Sequence, residues 1–158
     1  MQQKVDFPTG IGLQIKLVDA TVVCPPGSTG EGMRLHIGFD LKRPGLDWVK
    51  ITDEKGAENL NRFGFRKGDL CIADRAYALL SNLVAVIAQQ AWFIVRIGWF
   101  RQPGLRLADG QAMDIIAWLK HSAWRAQGEP FEQSVWLPNQ DAAFRLVARA
   151  IPEQAAEE

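Results

Sequence analysis

A chain of 158 residues, 47% hydrophobic and 23% charged, has the size and composition of one folded soluble domain, which excludes the disordered and fibrous classes. Lys plus Arg equals Asp plus Glu at 18 each, so the molecule lacks the broad positive field of a protein that holds nucleic acid by bulk electrostatics. No basic and apolar leader opens the chain and no apolar run approaches the roughly 20 residues that cross a bilayer, so the expectation is a cytoplasmic protein with no membrane partner.

In chain order, Leu13 to Val23 (LQIKLVDATVV) is rich in β-branched residues and predicts a largely buried strand, closed by the Pro and Gly loop Cys24 to Gly32 (CPPGSTGEG). Arg34 to Leu41 (RLHIGFDL) alternates as a second strand, Lys42 to Leu46 turns, and Asp47 to Thr52 (DWVKIT) is a third. Short links between three strands predict an antiparallel meander, with the first strand expected at its centre. A weak helix is expected over Ala57 to Arg62, then a turn (RKGD), then a fourth strand, Leu70 to Ala73, running straight into Asp74. Apolar positions at helical spacing predict one amphipathic helix over Arg75 to Gln90, long enough for a parallel crossover to a fifth strand at Trp92 to Ile97.

Past Gly98 the pattern shortens. Strand-like pieces at Leu105 to Leu107, Ile115 to Leu119, Ser134 to Leu137 and Phe144 to Ala150 are separated by turn signals such as Asp109-Gly110 and Pro138-Asn139, which suggests a second, β-rich unit over residues 99–158. Cys24 and Cys71 sit in apolar runs without metal-ligand spacing and suit buried thiols in a reducing compartment.

Two residues call for an explanation: Asp19 in LVDATVV and Asp74 in CIADRAY are carboxylates in apolar strands, where burial is costly unless the group is paired, protonated or bound to a cation. A fourth strand lying parallel beside the first would make the two acids neighbours without a cation from the chain. Such a pair suits Mg²⁺ or Mn²⁺, hard ions that prefer oxygen ligands and relieve the repulsion between the acids. The simpler alternative has Asp19 starting a turn and Asp74 capping the helix that follows.

The segments VDATVVCPPGSTG, RLHIGFDL, ITDEKGAENLNRF, KGDLCIADRAY and FIVRIGW, in this order and with these gaps, resemble the core of an IS4-type DDE transposase, and the likeness continues from Leu105-Arg106-Leu107-Ala108-Asp109-Gly110 to Phe144-Arg145-Leu146-Val147-Ala148-Arg149. The resemblance implies an α/β fold: an RNase H-like mixed five-stranded sheet with helices in a partial catalytic core over residues 1–98, followed by a partial β-rich insertion domain. It implies that Asp19 and Asp74 are the first two catalytic, metal-binding acids, with Mg²⁺ (or Mn²⁺) as cofactor. Transposon-end DNA is the partner so implied, with Arg75, Tyr77 and Arg96 as the residues placed to contact it. Ala76 replaces the glycine of the family's Asp-Arg-Gly-Tyr segment, and Met33 stands where many relatives carry tryptophan.

The family's third acid is a glutamate within a tyrosine-headed signature; Tyr77 is this chain's sole tyrosine, so that signature is missing, and Glu153, Glu157 and Glu158 do not replace it. The expectation is a central piece of a transposase, incomplete alone, whose sheet lacks the late helices that would cover one face, leaving a marginal or self-associating protein. A homodimer or a complementary transposase fragment could supply the cover. Two other readings remain: a non-catalytic relic acting as a DNA or protein interaction module, and a small-molecule phosphatase with Asp19 as nucleophile. The last is weakened because Thr21 stands where such enzymes carry a second acid. His36, between Leu35 and Ile37, suits a hydrogen-bonded structural role; Arg34 is a further candidate for phosphate, and Trp118, Trp124 and Trp136 suit core packing.

Overall fold

In a computed structural model the described residues are 13–27, 32–43, 45–53, 56, 59–98, 103–126 and 128–150, and the chain divides into two units, residues 1–97 and 98–158. Unit 1 is built on a five-stranded mixed sheet of β1 (Ile15–Val23), β2 (Met33–Asp40), β3 (Gly45–Asp53), β4 (Leu70–Ala73) and β5 (Trp92–Val95), in the order β3-β2-β1-β4-β5. The first three pair antiparallel, and β4 and β5 are added parallel. This is an α/β arrangement compatible with an RNase H-like sheet. It corrects one expectation: β2, not β1, is central in the meander. Short links force sequential strands to lie side by side, which leaves the far edge of β1 free for β4 and so puts β1 at the centre of the whole sheet.

Strand alternation gives the sheet two unlike faces. One carries Lys16, Val18, Gly38, Trp48, Cys71, Ala73, Phe93 and Val95, and it is covered by Leu60, Phe63, Phe65, Tyr77 and Val86 from the segments between strands. Gly38 is closely packed there: a Cβ would lie 3.4 Å from both the Phe63 ring and the Trp48 Cβ, and those two rings lie 4.4 Å apart between centroids. Cys71 is fully buried in this core, and burial pushes its thiol up to about 12, so it is inert. Cys24 is exposed, against the expectation of a buried thiol, because it lies just beyond the end of β1, which outruns β4. At the end of the covered face away from Cys24, Lys16 lies between Asp40 (3.1 Å) and Asp47 (2.7 Å), tying β1, β2 and the β3 bulge together.

The opposite face carries Leu17, Ile37, Ile72, Val49, Ile51 and Ile94 with their neighbours, and none of its residues is buried. Leu46 is 66% exposed, Trp92 63%, Ile51 59% and Ile94 57%. The expected open apolar face is therefore present in the folded unit.

The helix expected over Arg75 to Gln90 is split into a 3-10 turn at Arg75–Tyr77 and α1 (Leu80–Ala88). Ala78 (φ −75°, ψ 46°) and Leu79 (φ −100°, ψ 142°) leave the helical region between the pieces, and α1 ends where Gln90 takes a left-handed backbone with φ 57°. The weak helix is reduced to a 3-10 turn at Leu60–Arg62; residues 57 and 58 lie outside the described set.

Unit 2 holds a two-stranded antiparallel sheet, β6 (Phe131–Trp136) with β7 (Ala143–Ala148), around a core of Leu105, Met113, Ile115, Val135 and Leu137. Ile115 to Leu119, expected as a strand, is the start of α2 (Ile115–Ala126). The paired isoleucines mimic a strand. Asp114 decides otherwise: its Oδ1 accepts the Ala117 N–H at 3.0 Å and caps a helix that turns Trp118 onto Phe131, ring centroids 5.0 Å apart. The expected strand at Leu105 to Leu107 is reduced to isolated bridges from Arg106 to Ala112 and Trp136.

Candidate metal centre

Asp19 lies within β1, not at a turn, and Asp74 follows β4 directly in extended backbone, φ −78° and ψ −177°. The parallel ladder between them ends at the pair Val18 and Ala73. Asp19 and Asp74 are the next residues on each strand, and continuing the ladder by one step would set them opposite each other. On parallel neighbours, residues in equal register lie about 4.8 Å apart at Cα and project from the same face. The ladder from β4 to β5 ends at Ala73 and Val95, and the same continuation would set Arg96 beside Asp74. Asp19 pairs with Ile37 midway along β1 and β2, while Asp74 and Arg96 are the first residues past β4 and β5, and the three charged residues are exposed.

Backbone amides orient both acids. Asp19 Oδ1 accepts the Ala20 N–H at 2.8 Å, and Asp74 Oδ1 accepts the Ala76 N–H at 2.9 Å, capping the turn at Arg75–Tyr77. The capping role is real, then, and it coexists with a position just past the ladder of β1 and β4. For each carboxylate the second oxygen has no hydrogen bond among the described residues. Two exposed all-oxygen donors on adjacent strands fit a hard divalent cation, which would complete its shell with water or phosphate oxygens. They are a partial set: no group of three or more His, Cys, Asp or Glu suited to a metal occurs among the described residues.

The turn that presents Asp74 is held from beneath by Asn82, which the sequence reading passed over. Only 1% exposed, Asn82 donates from Nδ2 to the Tyr77 carbonyl (3.2 Å) and accepts the Leu60 N–H at Oδ1 (3.1 Å). A polar residue at a core-facing helix position was the available signal. Ala76 is not among the residues with positive φ, so alanine serves where the family carries glycine. Arg75 is exposed on the turn. Tyr77, expected at the DNA, is instead 0% exposed in the hydrophobic cluster, where its ring packs beneath the sheet and cannot reach a ligand.

His36 is also fully buried, on the covered face, with Nε2 sharing a hydrogen bond with Thr52 Oγ1 at 2.9 Å. Its pKa is lowered by burial and then by the charges of Arg62, Arg34 and Lys50, which keeps the ring neutral and structural. Trp118 packs in unit 2; Trp136 is half-buried, and the Trp124 side chain lies outside the described set. Glu153, Glu157 and Glu158 are likewise outside it. No helix among the described residues is long and apolar enough to cross a membrane.

No family model matches the chain, and no solved structure does. Curated relatives do. InsL of insertion sequence element IS186A from Escherichia coli (strain K12), named as a transposase, is 30% identical over 152 residues, covering 92% of this chain and 40% of the relative. The transposase for insertion sequence element IS421 from Escherichia coli matches with the same identity and coverage. The likeness to a transposase drawn from motif order is met by these relatives, and the chain spans 40% of their length. Over 92% of its own length, this chain is similar to insertion-sequence transposases.

Proposed function

We propose that this chain is the central part of an IS4-type DDE transposase: a metal-dependent DNA cleavage and strand-transfer core, cytoplasmic, acting on transposon ends and incomplete without a third acid. The observation that supports it is the parallel ladder of β1 and β4, whose last pair, Val18 and Ala73, directly precedes Asp19 and Asp74. Together they would hold Mg²⁺ or Mn²⁺, which when bound supplies a Lewis acid for phosphodiester displacement. Asp19 and Asp74 supply the oxygen ligands, and their amide hydrogen bonds hold them in place while leaving one oxygen of each to face the ligand. Arg96, just past β5, and Arg75, on the adjoining turn, neutralise a phosphate brought to the pair, because a guanidinium offers paired donors to phosphate oxygens. Tyr77 acts indirectly, by anchoring the turn that carries Arg75.

The near-neutral charge supports a local DNA contact at these residues over a broad basic surface. The alternative of a non-catalytic relic or interaction module rests on the missing tyrosine-headed signature.

Calorimetric titration of Mn²⁺ into the wild-type chain, Asp19→Ala and Asp74→Ala, each checked for folding by circular dichroism, separates the two. Binding to wild type that disappears in both folded variants is the expected result. A well-folded wild type that binds no Mn²⁺ would leave the acids structural and favour the relic.

A further inference from the structure

A pocket of about 510 Å³ opens in unit 1 where the start of β1, the turn from β2 to β3 and the segment before β4 meet. Its volume lies in the range of small-ligand sites. The polar residues around it divide by exposure: Lys16, Asp40 and Asp69 are 8%, 5% and 3% exposed, whereas Arg43 and Arg66 stand exposed at the rim. Half-buried Trp48, against Phe63, makes an aromatic wall between them. A bulge supplies one more member. Trp48 pairs with Gly38 and Leu46 with Phe39, so Asp47 is the extra residue of β3, and it turns to the Lys16 ammonium at 2.7 Å. Several of these groups keep unused hydrogen-bonding capacity. The Lys16 ammonium spends two donors, on Asp40 and Asp47, and its third has no partner among the described residues. Asp69 accepts the Arg66 N–H at Oδ2, 2.8 Å, and no hydrogen bond at Oδ1 among the described residues. The Arg43 and Arg66 guanidinium groups make no hydrogen bond or ion pair there either. Buried polar groups with open positions are costly unless something in the pocket meets them.

We propose that this pocket binds a nucleotide, with the base against Trp48 and the phosphate on Arg43 and Arg66. Charge placement gives the orientation. Lys16 between Asp40 and Asp47 is one cation with two anions, and Asp69 adds a further carboxylate, so the buried end favours the N–H donors of a base edge. The remaining Lys16 donor suits a ring nitrogen. At the rim, two guanidinium groups without partners match phosphate oxygens, and any base has a face to lay on an indole. A bare anion would leave the aromatic wall and the buried acids unmet, and an apolar ligand would strand the arginines and the buried groups alike. A free nucleotide and one unit of a single DNA strand share this chemistry. The proposal does not depend on the metal reading, because Asp19 projects from the other face of the sheet.

Calorimetric titration of adenosine monophosphate into the whole chain, with chelator present to exclude divalent metal, tests it. The wild-type chain is expected to bind, and adenosine and ribose 5-phosphate, each lacking one half of the ligand, to bind at least about tenfold more weakly. The double variant Arg43→Ala with Arg66→Ala, at exposed positions, should lose at least about tenfold in affinity while keeping its far-ultraviolet spectrum. Arg145→Ala, at an exposed site in unit 2, should bind as wild type does. A labelled oligodeoxyadenylate followed by anisotropy separates the two sources. Displacement of the oligonucleotide by adenosine monophosphate assigns the pocket to a DNA strand; binding of the mononucleotide alone assigns it to a free nucleotide. A folded wild type that binds neither ligand overturns the proposal, as does a double variant that binds unchanged. Inorganic phosphate binding as tightly as adenosine monophosphate would reduce the pocket to a simple anion site and overturn it too.

Discussion

Replacing Lys16 with methionine removes the ammonium that bridges Asp40 and Asp47 while keeping the volume of the stem. The Lys16 side chain is 10% exposed and that of Asp40 is 8%, so the carboxylate left behind regains little water beyond what enters the pocket that both line. Its Oδ1 keeps the Lys42 and Arg43 amides at 2.9 and 3.3 Å; its Oδ2 loses the ammonium at 3.1 Å. Breaking a buried pair by removing one partner costs about 3–5 kcal/mol. The low end applies, about 3 kcal/mol, because Asp47 is 45% exposed and regains water, and two amides still steady Asp40. For a chain of this size that corresponds to a fall of roughly 6–12 °C in Tm. Urea unfolding at neutral pH measures it, and combining Lys16→Met with Asp40→Leu should recover part of the loss. The pH range follows from the shifts. Burial acts to raise the Asp40 pKa, but the Lys16 and amide hydrogen bonds outweigh it and hold it below its ordinary 3.8. Burial likewise acts to lower Lys16, and Asp47 and Asp40 outweigh it and hold it above 10.5. The Asp40 contribution is therefore present above pH 3.8 and lost as pH falls through the depressed folded value; the Lys16 contribution is present below pH 10.5 and lost as pH rises through the raised one. A single-variant loss under about 1 kcal/mol, the value of an exposed pair, would refute the claim that this triad anchors β1.

His36 should make the fold acid-sensitive in a different window. Its pKa is lowered from 6.5 in the folded chain, so the unfolded chain binds the proton more readily and stability falls as pH drops below 6.5, by at most about 1.4 kcal/mol per pH unit; His36→Gln should flatten that slope in thermal melts, and an unchanged slope would assign it elsewhere. Asn82→Ala leaves the Leu60 N–H and the Tyr77 carbonyl without their side-chain partner in the core, at a cost of about 2–4 kcal/mol in urea unfolding. The same variant should weaken Mn²⁺ binding through the loosened Asp74 turn while Asp19 keeps its place, and full stability with full binding would remove Asn82 from any positioning role.

Much of this protein was legible as local pattern. Alternation and β-branching located all five strands of unit 1, and a carboxylate in LVDATVV and another after LCIA stood out in apolar runs, although both prove exposed and neither carries a cost of burial. Motif order led to the transposase likeness that the curated relatives bear out. Tertiary structure decided the rest. Whether Asp19 and Asp74 come close depends on the register of β1 on β4, a long-range choice set by packing Val18, Cys71 and Ala73 into one core. Tyr77 could be assigned to the core only once the break after the 3-10 turn was visible, since helical spacing alone would carry the helix through it. Ile115 and Ile116 read as strand until Asp114 capped a helix, because a short apolar run satisfies both periods and a single side-chain hydrogen bond selects between them. Which face of the sheet lies bare was equally beyond local pattern: the covered face carries Lys16, Arg34, His36, Asp40 and Lys50 while the bare one is the more apolar, and exposure is settled by where the connecting segments fold back.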